Sequence, residues 1–202
     1  MALSRIFSKW TLVLGLVGSL LAVSGCGQDK PAFRGVDITG ADYAQGWELS
    51  DQNGQVRTLK DFAGKAVVVF FGFTQCPDVC PTALQEMAAA KQLLGSDGAR
   101  LQSIFITVDP ERDTPELLQA YMANFGADFV ALRPTNEQLA KVTKDFKIYY
   151  KKVEGKTPTS YTMDHSAGSF TFDPQGRIRL YNRHASGAAA LAADVKILLS
   201  GK

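Results

Sequence analysis

Cys76 and Cys80 lie four positions apart in the run Thr74-Gln75-Cys76-Pro77-Asp78-Val79-Cys80-Pro81. A thiolate is both a nucleophile and a soft metal ligand, so the pair is open to three uses: a structural disulfide, a redox dithiol or a metal site. Redox dithiols of thioredoxin type are spaced Cys-x-x-Cys. One more intervening residue leaves room for an ion between the sulfurs while still permitting a disulfide. Two soft thiolates select copper, zinc or iron–sulfur chemistry over magnesium or calcium, and a third ligand decides between the uses. Only His165 and His184 are available. His165, in Met163-Asp164-His165-Ser166, is the candidate; His184, in Arg183-His184-Ala185, reads as a surface residue.

The elements that must position these residues follow from pattern. Ala66 to Phe73 (AVVVFFGF) is an unbroken β-branched and aromatic run, the signature of a strand buried on both faces. It ends at the first cysteine. Proline after each cysteine disfavours the α region for Cys76 and Cys80. The next helix is therefore expected to start with Pro81 at its first position, run to about Leu94 and stop at Gly95, with Cys80 beside its N-cap. Both sulfurs would then feel the positive end of a helix, which favours thiolate. A second strand spans Leu101 to Val108. Thr114-Pro115 opens a helix as N-cap and first residue, and Thr135 with Gln138 forms a capping box for another, reaching about Phe146. Phe129 to Leu132 and Lys147 to Val153 read as strands, and Glu154 to Asp164 as a polar loop. Gly168 to Phe172 and Ile178 to Tyr181 form a hairpin through Asp173-Pro174-Gln175-Gly176. A helix from Gly187 to Leu199, with Leu191, Val195 and Leu198 inward, closes the chain.

Two βα units, an insertion, a hairpin and a final helix make an α/β thioredoxin-like fold, since right-handed crossovers leave few other topologies. Trp47 to Leu49 and Val56 to Leu59 form an N-terminal extension. In open α/β sheets chemistry gathers beyond the carboxyl ends of the strands, where Cys76 lies. The loop carrying His165 borders that end in this topology, so the imidazole can approach the dithiol. Asp78 and Asp164 are candidates to hydrogen-bond to the ligands and tune them. Asp109, Glu111 and Arg112, at a strand end near the site, read as turn and cap residues in preference to part of a partner surface, Met87 reads as core, and Met163 stays open.

Arg5 and Lys9 precede an uncharged apolar stretch from Trp10 to Val23, and Val23-Ser24-Gly25-Cys26 follows. This is a secretory leader over residues 1–25, and a cysteine directly after small residues resembles a lipobox with Cys26 as the acylated position. Residues 26–40 then form a tether and 41–202 the domain. Loss of Arg5 and Lys9 with the leader takes the 22 basic residues to 20, equal to the 20 acidic ones. With no basic cluster left, nucleic acid is excluded as a partner.

Beyond these features, FFGFTQCPDVCP, TVDPERDTP and the Asp164-His165-Ser166 triplet, in this order and spacing from about Phe62 onward, resemble the Sco/SenC family of copper proteins. The resemblance implies one Cu(I) or Cu(II) per chain, held by Cys76, Cys80 and His165, and no expected ligand is missing. It further implies a metallochaperone for the binuclear copper site of cytochrome c oxidase subunit II or a similar copper enzyme, supplied by a periplasmic copper donor. The alternative within the same resemblance is a thiol–disulfide oxidoreductase, in which Cys76 and Cys80 cycle as a disulfide pair to reduce that site's cysteines. A sensor is the weakest option, for no output domain is visible. A lipid anchor would hold the protein to a membrane of the cell envelope, facing the periplasm or the outside.

Overall fold

The computed structural model describes residues 32–157 and 160–201. The expected leader, residues 1–25, and Cys26 lie outside the described residues. Among the described residues ten strands, β1 (Val36–Asp37), β2 (Glu48–Asp51), β3 (Val56–Thr58), β4 (Ala66–Gly72), β5 (Leu101–Thr107), β6 (Val130–Arg133), β7 (Tyr150–Glu154), β8 (Tyr161–His165), β9 (Ser169–Phe172) and β10 (Ile178–Asn182), form an eight-stranded sheet in the order β1-β10-β9-β4-β5-β6-β2-β3 and a separate two-stranded ribbon, β7-β8. At the centre, β4 (Ala66–Gly72), β5 (Leu101–Thr107) and β6 (Val130–Arg133) run parallel. All seven residues of β4 and all seven of β5 are buried, which is why neither strand alternates in sequence. The hairpin β9 (Ser169–Phe172) and β10 (Ile178–Asn182) adds antiparallel to β4. This βαβαβ and hairpin topology is thioredoxin-like.

The extension, β2 (Glu48–Asp51) and β3 (Val56–Thr58), extends the sheet from its β6 edge. It closes by the same chemistry as the β9–β10 turn. In Asp51-x-x-Gly54 and Asp173-x-x-Gly176 the aspartate accepts the amides two and four residues on and the Nε–H of an arginine, Arg57 or Arg177. The glycine takes φ of +77° or +75°, a conformation that L side chains rarely adopt.

Helices α1 (Val79–Leu93), α2 (Pro115–Met122), α3 (Asn136–Asp145) and α4 (Ala188–Leu199) cover the sheet, with α1 and α4 packed together. The Thr114 cap and the Thr135–Gln138 capping box form as expected. Three expectations are corrected. The first helix starts at Val79, with Asp78 as N-cap, so Cys80 is inside it. Proline costs nothing in a first turn, where its missing N–H has no partner to lose, and Pro81 therefore does not have to be the first residue. Glu154 to Asp164 is not all loop: β7 (Tyr150–Glu154) pairs with β8 (Tyr161–His165), Tyr150 opposite His165. The alternation Tyr161, Met163, His165 is a strand signal that the neighbouring Lys, Thr and Gly residues obscured. Finally, residues 26–40 are not all tether. The amides of Arg34 and Gly35 donate to the buried Asp194 carboxylate of α4, and β1 (Val36–Asp37) pairs with β10.

Candidate metal centre

Gly72 ends β4, and the chain turns through Thr74 and Gln75 into Cys76. Two contacts fix that turn. The Cys76 amide donates to the Phe73 carbonyl, and Asp113 accepts both the amide and the hydroxyl of Thr74, at 3.2 and 2.6 Å. Asp113 is fully buried and also accepts the hydroxyl of Thr107 at the end of β5. Burial pushes its carboxyl above the usual range, against the pull of those hydroxyls. It thereby ties the ends of two adjacent parallel strands beneath the cysteines. Gly72 is needed for a different reason. A Cβ there would stand 2.7 Å from the Cys80 sulfur and 2.8 Å from Phe105, so only glycine lets Cys80 approach so near to the strand.

Cys80 is wholly buried, and Cys76 is partly open to solvent. Both are free thiols. The Cys80 amide, in the first turn of α1, points at the Cys76 sulfur from 3.4 Å. The positive end of the helix thus serves one sulfur, not both as expected. The Cys76 thiol is drawn down to about 5, chiefly by the hydrogen bond from the Cys80 side chain, with the Asp78 and Cys80 amides and His165 adding to it against the cost of burial. Cys80 is pushed far up by the same bond and by burial. The proton shared in that bond favours Cys80 and leaves Cys76 the more acidic sulfur.

His165 completes the cluster from the end of β8. Its Nε2 lies 3.4 Å from the Cys80 sulfur, and its Nδ1 lies 3.0 Å from the Ser166 carbonyl. A carbonyl can only accept, so Nδ1 is the donor in that contact, and Nε2 is the nitrogen that faces the sulfurs. Phe70 and Phe73 meet the ring edge-on, with centroids 6.0 and 5.9 Å away. The three ligating atoms all lie within 4.8 Å of one another.

The remaining residues singled out from sequence fall as follows. Asp78 and Asp164 are exposed; Asp78 has one side-chain partner, Thr82, and Asp164 sits on the outer face of β8, opposite to His165. Neither carboxylate reaches a ligand, and a backbone carbonyl orients His165 instead. His184 is exposed, and Met87 and Met163 are buried in the core. Asp113, which sequence reasoning passed over, does the supporting work. The signal for it was positional: it follows the end of β5 as Cys76 follows the end of β4.

A thioredoxin-like sheet with a dithiol and an imidazole converging at the carboxyl end of its first parallel strand defines a class, in which a three-donor centre replaces a plain redox dithiol. The chain belongs to the SCO1/SenC family, whose profile matches residues 36–200. It is 36% identical over 169 residues to an SCO2-like protein of Rickettsia typhi, covering 82% of each chain. Among solved structures it is similar to ScoI of Bradyrhizobium japonicum with copper bound (36% identity, TM-score 0.69, 83% of this chain and 99% of that one). It is also similar to apo Sco1 of Thermus thermophilus (33% identity, TM-score 0.74, 83% and 97%).

Proposed function

We propose that this protein is a copper metallochaperone of the bacterial cell envelope, carrying one Cu(I) or Cu(II) ion as its cargo on Cys76, Cys80 and His165. The observation that carries the reading is the convergence of two sulfurs and one imidazole nitrogen within 4.8 Å. Two thiolates and an imidazole suit copper. Structural zinc takes four protein ligands, and among the described residues no fourth Cys, His or carboxylate joins this cluster. The copper-bound ScoI of Bradyrhizobium japonicum supports the same reading. The recipient is the binuclear copper site of cytochrome c oxidase subunit II or a similar copper enzyme, and a periplasmic donor supplies the ion. Acylation of Cys26 anchors the domain to a membrane. Among the described residues no helix is long and apolar enough to cross one.

A second reading is favoured by one specific observation. Cys76 is partly exposed with its pKa drawn down, and Cys80 is buried with its pKa pushed up, which fits the division of labour of a thiol–disulfide reductase in which Cys76 attacks and Cys80 resolves. Cells grown at low copper separate the two readings. If copper is delivered, His165→Ala loses oxidase assembly along with Cys76→Ser and Cys80→Ser, and added copper partly rescues it. Full assembly with His165→Ala and none with either cysteine variant would exclude delivery and install the reductase.

A further inference from the structure

The loop between β5 and α2 touches both arms of the metal centre. On the cysteine side, Asp113 holds Thr74. On the histidine side, three of its residues reach the β7–β8 ribbon. The Arg112 guanidinium lies 3.5 Å from the centroid of the Tyr161 ring, and its Nη1 donates to the Tyr161 carbonyl at 2.8 Å and to Gln75 Oε1 at 2.9 Å. Asp109, buried and paired with the Arg112 Nε–H, accepts the Tyr161 hydroxyl at 2.8 Å. Glu111 meets Lys152, whose ammonium lies 3.9 Å from the centroid of the same ring.

The ribbon needs such anchors. Among the described residues β7 and β8 share no ladder with the eight-stranded sheet, and a lone two-stranded hairpin is marginal in water. Side chains alternate along a strand, so Tyr161, Met163 and His165 share the inner face while Thr162 and Asp164 are exposed. Tyr161 and the ligand are four residues apart, about 13 Å at a strand's rise. Restraint on the tyrosine is therefore restraint on the imidazole, carried along the β7–β8 ladder in which Tyr161 pairs with Glu154 and His165 with Tyr150.

We propose that Arg112 is a positioning residue for His165. With Asp109 it clamps Tyr161, and so keeps the ribbon seated and the imidazole at ligating distance from Cys76 and Cys80. The proposal rests on the copper reading of the site for its consequence, though not for the clamp itself. Arginine is specified: only a planar fork can stack on the ring while bonding Asp109, Gln75 and the Tyr161 carbonyl together. With the clamp broken, the centre keeps its dithiol and loses a fixed third ligand.

The test uses the full chain as wild type, Arg112→Ala, Arg112→Lys and Tyr161→Phe. Hydrogen exchange on the metal-free protein reads the clamp directly. In Arg112→Ala the amides of residues 150–154 and 161–165 should exchange at least about tenfold faster, as loss of one or more charge-assisted bonds implies. Those of β4 and β5 should keep their rates. Arg112→Lys should not restore protection. Tyr161→Phe, which keeps the ring and its packing, should show a smaller increase and decides the matter if Arg112→Ala fails to fold. With Cu(II) bound, the nitrogen hyperfine coupling from imidazole should weaken in Arg112→Ala, and affinity should fall about tenfold. Wild-type exchange in the ribbon of Arg112→Ala, or undiminished nitrogen coupling, overturns the proposal. If wild type itself binds no copper, the copper reading falls, and exchange still decides the clamp.

Discussion

The shared proton of the dithiol makes a prediction whose size depends on two opposing effects. Cys76 sits near pKa 5, mainly because the Cys80 thiol donates to it. At pH 7 such a thiol is about 99% thiolate, whereas one at about 8.5 is about 3% thiolate, a gain of about thirtyfold in the reactive form. Thiolate nucleophilicity falls with basicity, with a Brønsted slope of about 0.4–0.5, and over this range of pKa that loses about 25- to 55-fold. The two effects nearly cancel, so the absolute rate at pH 7 carries no information. The pH profile does. In the reduced, metal-free protein, alkylation of Cys76 by iodoacetamide should rise around pH 5 and be flat by pH 7, while Cys80 stays slow. Cys80→Ala removes the largest cause and should move the midpoint up towards an ordinary thiol, and Cys80→Ser, which keeps a donor, should move it less. A wild-type rate that climbs without a plateau through pH 8, or a midpoint unmoved in Cys80→Ala, would refute the shared proton.

Gly72→Ala should place a methyl against the Cys80 sulfur and Phe105, destabilising the fold by about 1–3 kcal/mol as overpacking does; calorimetry and copper titration should show both stability and affinity reduced. Asp173→Asn keeps an oxygen for the amides of Gln175 and Arg177 but removes the charge and the second oxygen that face Arg177 and Arg179, and should cost about 3 kcal/mol in denaturant unfolding near neutral pH. Burial opposes ionisation of Asp173, but those donors hold its pKa below the usual range. Its contribution is therefore full above the unfolded value of about 3.9 and fades as pH falls through the folded one, so the gap between wild type and variant should close only in acid. Cys26→Ser should abolish acylation of the membrane-bound protein, read by mass spectrometry; an unmodified Cys26 in a retained full-length chain would favour an uncleaved anchor.

The parts legible in the sequence are those fixed by local chemistry. The apolar run of β4, the Thr114 and Thr135 caps and the Asp173–Gly176 turn each announce themselves within a few residues, and all stand as read. The dithiol was legible from its spacing, with three uses open, and the set Cys76, Cys80 and His165 came from the family resemblance; the structure brings the three together. What was not legible depends on contacts distant in sequence. Asp113 matters because β4 and β5 end side by side, and nothing local says so. Asp78 and Asp164 adjoin ligands in the chain, yet strand alternation turns Asp164 away from His165. The unequal fates of Cys76 and Cys80 follow from burial of one sulfur under Gly72, which a motif cannot display.

The central claim, that His165 joins the two cysteines in holding one copper ion, is tested most directly by copper titration of the reduced full chain against its His165→Ala variant. Wild type should take up one equivalent and, as Cu(II), show thiolate-to-copper charge-transfer absorption that is lost with either Cys76→Ser or Cys80→Ser. His165→Ala should bind at least about tenfold more weakly, the equivalent of about 1.4 kcal/mol, while still forming and breaking the Cys76–Cys80 disulfide. Equal affinity in wild type and His165→Ala would contradict the account.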